Sequence, residues 1–301
     1  MQEKIANGPL TRFAPSPTGY LHLGHVANAI HVWGTAGARG GRVLLRLEDH
    51  DRGRCRAEYE TAILDDLEWL GLEPDSGRPA ELRAGNSRYR QSDNEARYQA
   101  ALDRLATRFR VYACDCSRKD IAGESDLPDQ ESRYNGRCRD RNLEPDPARG
   151  LRVVIEAGEE QFTDGVLGPQ TQSPHTQCGD LLLRDRQGNW TYQFAVTVDD
   201  MEQNIDLVIR GQDLLASTGR QIRLARMLGR TGAPAYMHHP LIRHASGAKL
   251  SKANRDTGIR DLRAAGLSRA SVLGQAAHLS GLTANPRPLE QHQLADLFEL
   301  G

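Results

Sequence analysis

Apolar residues recur along this chain with two different periods, and the alternation between them predicts its architecture. Residues 10–14 and 42–47 read as strands, the second dominated by Val43, Leu44, Leu45 and Leu47. Between them Val26, Ile30 and Trp33 repeat at helical spacing. Tyr59, Ile63, Leu67 and Leu70 mark a second helix closed by Gly71, and Tyr98, Leu102, Leu105 and Phe109 share a face of a third. Strand, helix, strand, helix predicts an α/β fold with a parallel sheet and ligands at the carboxyl ends of its strands. From about Tyr112 to Arg186 that order breaks. Residues 117–150 are polar and rich in Asp, Arg, Gly and Pro, while 151–156 and 179–184 read as short strands of an inserted module. Residues 190–198 and 205–209 read as a return to sheet. Ser217 or Thr218 then caps a helix through Ile222, Ala225 and Leu228, and residues 256–301 read as small helices, one with Val272, Ala276 and Leu279.

Composition narrows this picture modestly. With 301 residues, 38% hydrophobic and 26% charged, the chain has the make-up of a globular protein with a sizeable core. It holds no run of 18 apolar residues and no signal-peptide core near Met1, so no membrane partner is expected. A formal net charge of −1 argues against coating nucleic acid by bulk charge, though not against a local basic face. The five cysteines, an odd number, point to a reducing cytoplasm rather than a disulfide framework. Cys114, Cys116 and Cys138 cluster in the polar segment, where three thiolates form most of a tetrahedral metal site. A fourth donor is left open, and a metal staple accounts for an otherwise over-long loop.

The candidate chemistry lies at two distant places. Arg12-Phe13-Ala14-Pro15-Ser16-Pro17-Thr18-Gly19 leads into His22-Leu23-Gly24-His25 at the start of the first helix. The prolines bias Ala14 and Ser16 toward extended backbone, Gly24 allows close approach to the main chain, and a helix N-terminus favours anions. Lys249-Leu250-Ser251-Lys252 forms a short lysine loop more than two hundred residues later. Glu48 closes the second strand, at the edge where an open sheet collects ligands.

In this order, the two motifs resemble the HIGH and KMSKS signatures of class I aminoacyl-tRNA synthetases, and the RFAPSPTG lead-in resembles the glutamate branch. The resemblance covers nearly the whole chain and is nearest to the glutamyl-Q tRNA(Asp) synthetase family. It implies a Rossmann-type α/β catalytic domain with an inserted zinc-stapled module and a small helical C-terminal stem-contact region. The expected divisions are 1–111, 112–186, 187–245 and 246–301, with no anticodon-binding domain, since only 49 residues follow Lys252. Val196, where full-length glutamyl-tRNA synthetases usually carry Asn, is a second departure from them.

The same resemblance implies roles. His22, His25, Lys249 and Lys252 would act on the phosphates, with Gly24, His22, His25 and Lys252 holding ATP. Arg12, Phe13, Ala14, Pro15, Ser16, Glu48, Tyr192 and Arg210 would line the L-glutamate pocket, Glu48 holding the amino group. Two guanidiniums, Arg12 and Arg210, suit a substrate with two carboxylates. The family's Cys-x-Cys…Tyr-x-x-x-Cys pattern offers Tyr134 as fourth ligand of one structural Zn2+ with Cys114, Cys116 and Cys138. Mg2+ is expected with ATP. The implied activity is tRNA-independent formation of glutamyl-adenylate and transfer of glutamate to queuosine in tRNA(Asp), by a cytoplasmic monomer. A truncated enzyme charging tRNA(Glu) and a non-catalytic RNA-binding paralogue stay open as alternatives.

Overall fold

The computed structural model describes residues 8–122, 133–242 and 258–299. In its first third, strands β1 (Leu10–Phe13) and β2 (Arg42–Leu45) alternate with helices α1 (Leu23–Ala38), α2 (Ala57–Leu70) and α3 (Pro79–Arg83). There follow α4 (Glu95–Ala106), β3 (Val111–Cys114), α5 (Arg118–Ala122), β4 (Gly150–Val153), β5 (Glu160–Asp164), β6 (Gly168–Gln172), α6 (Pro174–Cys178) and β7 (Leu181–Arg184). The last third holds α7 (Tyr192–Glu202), β8 (Leu207–Gly211), α8 (Thr218–Met227), β9 (Ala235–His239), α9 (Ile259–Ala264) and α10 (Arg269–Leu279).

The chain divides into two units. The first comprises the described parts of residues 1–93, 205–214 and 234–301. Its strands run parallel in the order β2–β1–β8–β9, with Leu10 opposite Arg42, Thr11 opposite Leu207 and Leu207 opposite Ala235. Val43-Leu44-Leu45 of β2 and Leu207-Val208-Ile209 of β8 are buried throughout and read as continuous apolar runs rather than alternating ones. Their core takes Phe13, Val43, Leu45 and Ile209 from the sheet, Ile30 and Trp33 from α1, Leu64 and Leu67 from α2, and Val272 and Leu273 from α10. Gly71, at φ 73°, ends α2 with its N–H on the carbonyls of Leu67 and Glu68. The tail forms small helices, as the pattern of residues 256–301 predicts.

The second unit comprises the described parts of residues 94–204 and 215–233. Its antiparallel sheet runs β3–β4–β7, and β5 and β6 form a hairpin. Tyr98, Leu102, Val153, Leu183, Trp190, Phe194 and Leu224 supply its core. The hairpin is absent from the sequence reading because its strands, EQFTD and GPQTQ, carry one large apolar residue between them. Its turn is made by the Asp164 carboxylate, which accepts from the N–H groups of Val166 and Leu167 at 3.0 Å each, and by Gly168 at φ 73°.

Residues 190–198, read as strand, are corrected: most of them lie in α7. Phe194 through Asp200 are all buried, so this stretch shows no exposed face and no helical period of apolar and polar positions. Over so short a run a buried strand and a buried helix look alike. Thr191 decides the matter locally, its N–H and hydroxyl held by the carbonyls of Leu183 and Leu182 in extended backbone just before the helix.

Candidate functional site

Strand order 2–1–8–9 places the change of winding direction between β1 and β8, and an open parallel sheet forms its ligand crevice at the carboxyl ends of such strands. Arg12 on β1 and Arg210 on β8 sit there, each only 4% exposed. Arg12 donates to the Ile209 carbonyl at 3.4 Å. Arg210 Nε meets His238 Nε2 at 3.0 Å, with its guanidinium 5.6 Å from the Tyr236 ring centre. Glu48 lies three residues past β2, 6% exposed, its N–H on the Pro15 carbonyl at 3.0 Å. Its carboxylate accepts from fully buried Arg46 at 2.9 Å. Sequence reasoning did not single out Arg46. An arginine inside the LRLED run was the available signal.

The lead-in residues are placed unevenly. Phe13 is 1% exposed and packs on Trp33 at 5.4 Å between ring centres, so its side chain belongs to the core. Pro15 is buried, Ala14 and Ser16 half-buried, and Ser16 Oγ lies 3.9 Å from Cys55 Sγ. Tyr192 opens α7 in the second unit. Lys249 and Lys252 lie outside the described residues.

The two motif histidines cap α1. His22, in extended backbone, accepts the Gly24 N–H on Nδ1 at 3.1 Å, and its own N–H donates to His25 Nδ1 at 3.2 Å. The rings lie 4.0 Å apart, centre to centre. Gly24 leaves room for the capping ring: a Cβ there would stand 2.9 Å from His22 Cε1 and push the imidazole aside. No acidic side chain lies in the first turn, so the dipole at the start of this 16-residue helix is not offset by a carboxylate of its own.

A cavity of about 370 Å³ opens at this end, lined by His22, Gly24, His25, Asn28, Arg210, Asp213, His239 and the segment to Ile242. Asn28 and His239 were not anticipated; His239 Nε2 meets the Asn28 side-chain amide at 3.0 Å and Nδ1 donates to the Pro240 carbonyl at 2.9 Å. Behind them His31 stacks on His239, ring centres 4.3 Å apart and planes 5° from parallel. Burial, then the His239 ring, push His31 down to about 3, and burial lowers His239 as well. Burial thus disfavours the charged form of both stacked rings.

In the second unit Cys114, Cys116 and Cys138 converge, their Sγ atoms all within 4.8 Å of one another. The Tyr134 hydroxyl lies 3.6 Å from Cys114 Sγ and accepts the Cys138 N–H at 2.8 Å. Arg152 Nε donates to Cys114 Sγ at 3.3 Å, and its guanidinium lies 3.8 Å over the Tyr134 ring. Burial and the hydrogen bond to Cys138 push the Cys116 thiol up to about 12. Burial drives the Tyr134 hydroxyl far above its ordinary range. Burial also works against the Cys114 thiolate, but the Arg152 and Tyr134 hydrogen bonds outweigh it and bring that thiol down. Thiols this close resist joint ionisation unless a cation binds them, so the donor set is compatible with a metal.

The catalytic-domain model of class I tRNA synthetases (E and Q) matches residues 10–288, which fixes the class of the fold and its site. Over 300 aligned residues, 96% of this chain and 92% of the relative, it is 39% identical to a glutamyl-Q tRNA(Asp) synthetase of Symbiobacterium thermophilum. It is 38% identical to that of Rhodobacter capsulatus over 87% of this chain and 98% of the relative. The chain belongs to the glutamyl-Q tRNA(Asp) synthetase family and is a ligase-type enzyme. Class I membership implies ATP and Mg2+. A glutamate–tRNA ligase of Nitrosospira multiformis is 35% identical, but the chain spans 61% of its length. A glutamate-tRNA synthetase structure from Elizabethkingia anophelis superposes with TM-score 0.76 at 25% identity, covering 96% of this chain and 65% of that one. No helix among the described residues is long and apolar enough to cross a membrane.

Proposed function

We propose that this enzyme activates L-glutamate with ATP in the absence of tRNA and transfers the glutamyl group to the queuosine base in the anticodon of tRNA(Asp). The observation that carries this reading is the 39% identity to a glutamyl-Q relative over 92% of that protein's length. The site chemistry agrees with it. Arg12 and Arg210, buried at the switch point, take the two carboxylates, for which planar guanidinium is suited. Glu48, held by Arg46, takes the ammonium group. A carboxylate oxygen of glutamate attacks the α-phosphorus of ATP; the bond to the bridging oxygen breaks and pyrophosphate leaves. His22, His25 and the positive end of α1 hold the phosphates, and Lys249 and Lys252 offset charge on the departing pyrophosphate. Mg2+, bound with ATP, supplies further charge neutralisation. The glutamyl group then passes to queuosine and AMP leaves.

In the second unit Cys114, Cys116, Cys138 and Tyr134 would hold one Zn2+, and a full set of protein ligands of this kind gives the ion a structural rather than a catalytic role. None of the described cysteines forms a disulfide, which accords with a cytoplasmic setting.

The test supplies ATP, labelled glutamate and tRNA with or without queuosine. Label on queuosine-containing tRNA(Asp) alone, with pyrophosphate exchange already present before tRNA is added, is the expected result. Label on tRNA(Glu) instead makes this a glutamate-charging enzyme, and no label on either makes it a binding paralogue.

A further inference from the structure

Arg152 is a buried cation among the described residues whose guanidinium has no carboxylate partner. It projects from β4 and is 6% exposed. The nearby carboxylate of Asp180 is already engaged by the Arg139 guanidinium at 2.7 and 2.9 Å, by the Tyr112 hydroxyl at 2.6 Å and by the Ile155 N–H at 3.1 Å. What Arg152 receives from Asp180 is only the main-chain carbonyl, at 2.8 Å from Nη1. Its Nε points to Cys114 Sγ at 3.3 Å and its plane covers the Tyr134 ring at 3.8 Å. A guanidinium stays charged at any pH a protein survives. Buried without an anion it is costly, and truncating the partner of such a charge costs more still.

The anion that balances it is supplied by the cysteine cluster. Three thiolates around a doubly charged cation leave at least one negative charge in excess, in a pocket where Cys114, Tyr134 and Cys138 are each 3% exposed or less. We infer that Arg152 is the positioning residue of the metal centre, fixing Cys114 Sγ by an N–H···S hydrogen bond, holding the Tyr134 ring by stacking and neutralising the excess charge of the occupied site. Asp180 sets its aim: Arg139 and Tyr112 anchor that residue, and its carbonyl orients the guanidinium fork. Partners of this kind orient the ligands and tune the metal they hold. The inference rests on the proposed zinc site.

The experiment measures zinc content of freshly purified protein, zinc affinity by competition with a chromogenic chelator, and thermal midpoints of loaded and stripped protein. It compares wild type, Arg152→Gln and Arg152→Lys. Arg152→Gln is expected to weaken zinc binding by about 10–100-fold while moving the midpoint of the stripped protein little. Arg152→Lys, which keeps the charge but loses the fork and the stack, should fall between. In the Co2+-loaded protein the thiolate-to-metal charge-transfer band should shift in Arg152→Gln, because one sulfur loses its hydrogen bond. Unchanged affinity with equal destabilisation of loaded and stripped protein overturns the inference and makes Arg152 a packing residue. Should Arg152→Gln not fold, Arg152→Lys against wild type decides: weaker zinc binding supports the role and unchanged binding overturns it. Wild-type protein that holds no zinc overturns the zinc site itself, and this inference with it.

Discussion

Arg46 and Glu48 form an ion pair at 2.9 Å just past the end of β2, with the arginine fully buried and the glutamate 6% exposed. The two are separated by one residue in extended backbone, so both side chains point to the same side of the chain. The pair fixes the carboxylate at the edge of the sheet without lending it to solvent.

Removing one partner of such a pair leaves an uncompensated buried charge. Arg46→Met is expected to destabilise the protein by about 3–5 kcal/mol, measured by urea unfolding. Glu48→Gln keeps a hydrogen-bond acceptor for Arg46 and should cost less stability, yet abolish most glutamate-dependent pyrophosphate exchange. Full exchange activity in folded Glu48→Gln would remove Glu48 from the substrate site.

The pH dependence of stability should carry the mark of His31. Its value in the fold is lowered to about 3 by burial and His239, below an unfolded value of about 6.5. Between those limits the unfolded chain binds the extra proton, so this residue's contribution is fully present above about pH 6.5 and is lost as pH falls. The loss approaches about 1.4 kcal/mol per pH unit. His31→Phe retains the ring stacked on His239 and should flatten the decline in unfolding free energy between pH 6 and 4. An unaltered slope in that variant excludes His31 as its source.

Metal removal tests the cysteine cluster. Cys116→Ser should lower zinc content and the thermal midpoint, and chelation of the wild type should do the same, with hydrogen exchange rising first in residues 112–116 and 134–138. Tyr134→Phe removes only the donor oxygen. Partial loss of zinc is expected from it, whereas full retention would give the fourth position to another donor.

Gly274 offers a case in which two effects oppose each other. It sits inside α10, where alanine would gain about 1 kcal/mol of helix propensity. A Cβ there would stand 1.8 Å from the Arg287 carbonyl oxygen and 2.6 Å from its carbon, atoms of backbone that cannot swing away. Overpacking of this kind costs more than propensity returns, typically about 1–3 kcal/mol. Gly274→Ala should therefore lower the thermal midpoint; a rise would show that residues 287–288 yield freely.

The parallel strands β1 and β2, the helices α1, α2 and α10, and the cysteine pair Cys114 and Cys116 were legible because each rests on a local pattern: an apolar run, a helical repeat, a close spacing. The sequence also determined the family, since the two lead motifs are contiguous and their order along the chain is a one-dimensional property. It could not separate a strand from a helix over residues 190–198, where every side is buried and the period disappears. It did not anticipate the β5–β6 hairpin, whose turn chemistry rather than hydrophobicity defines it.

Only tertiary structure decided the pairings across long separations. Arg12 and Arg210, 198 positions apart in sequence, come to adjacent strands, because a parallel neighbour is set by crossover topology and not by sequence distance. The stack of His31 on His239 and the placement of Arg152 over Tyr134 arise the same way. Residue types and local periods are written in the chain; which buried charge meets which partner depends on desolvation, and that exists only once the chain has closed around them.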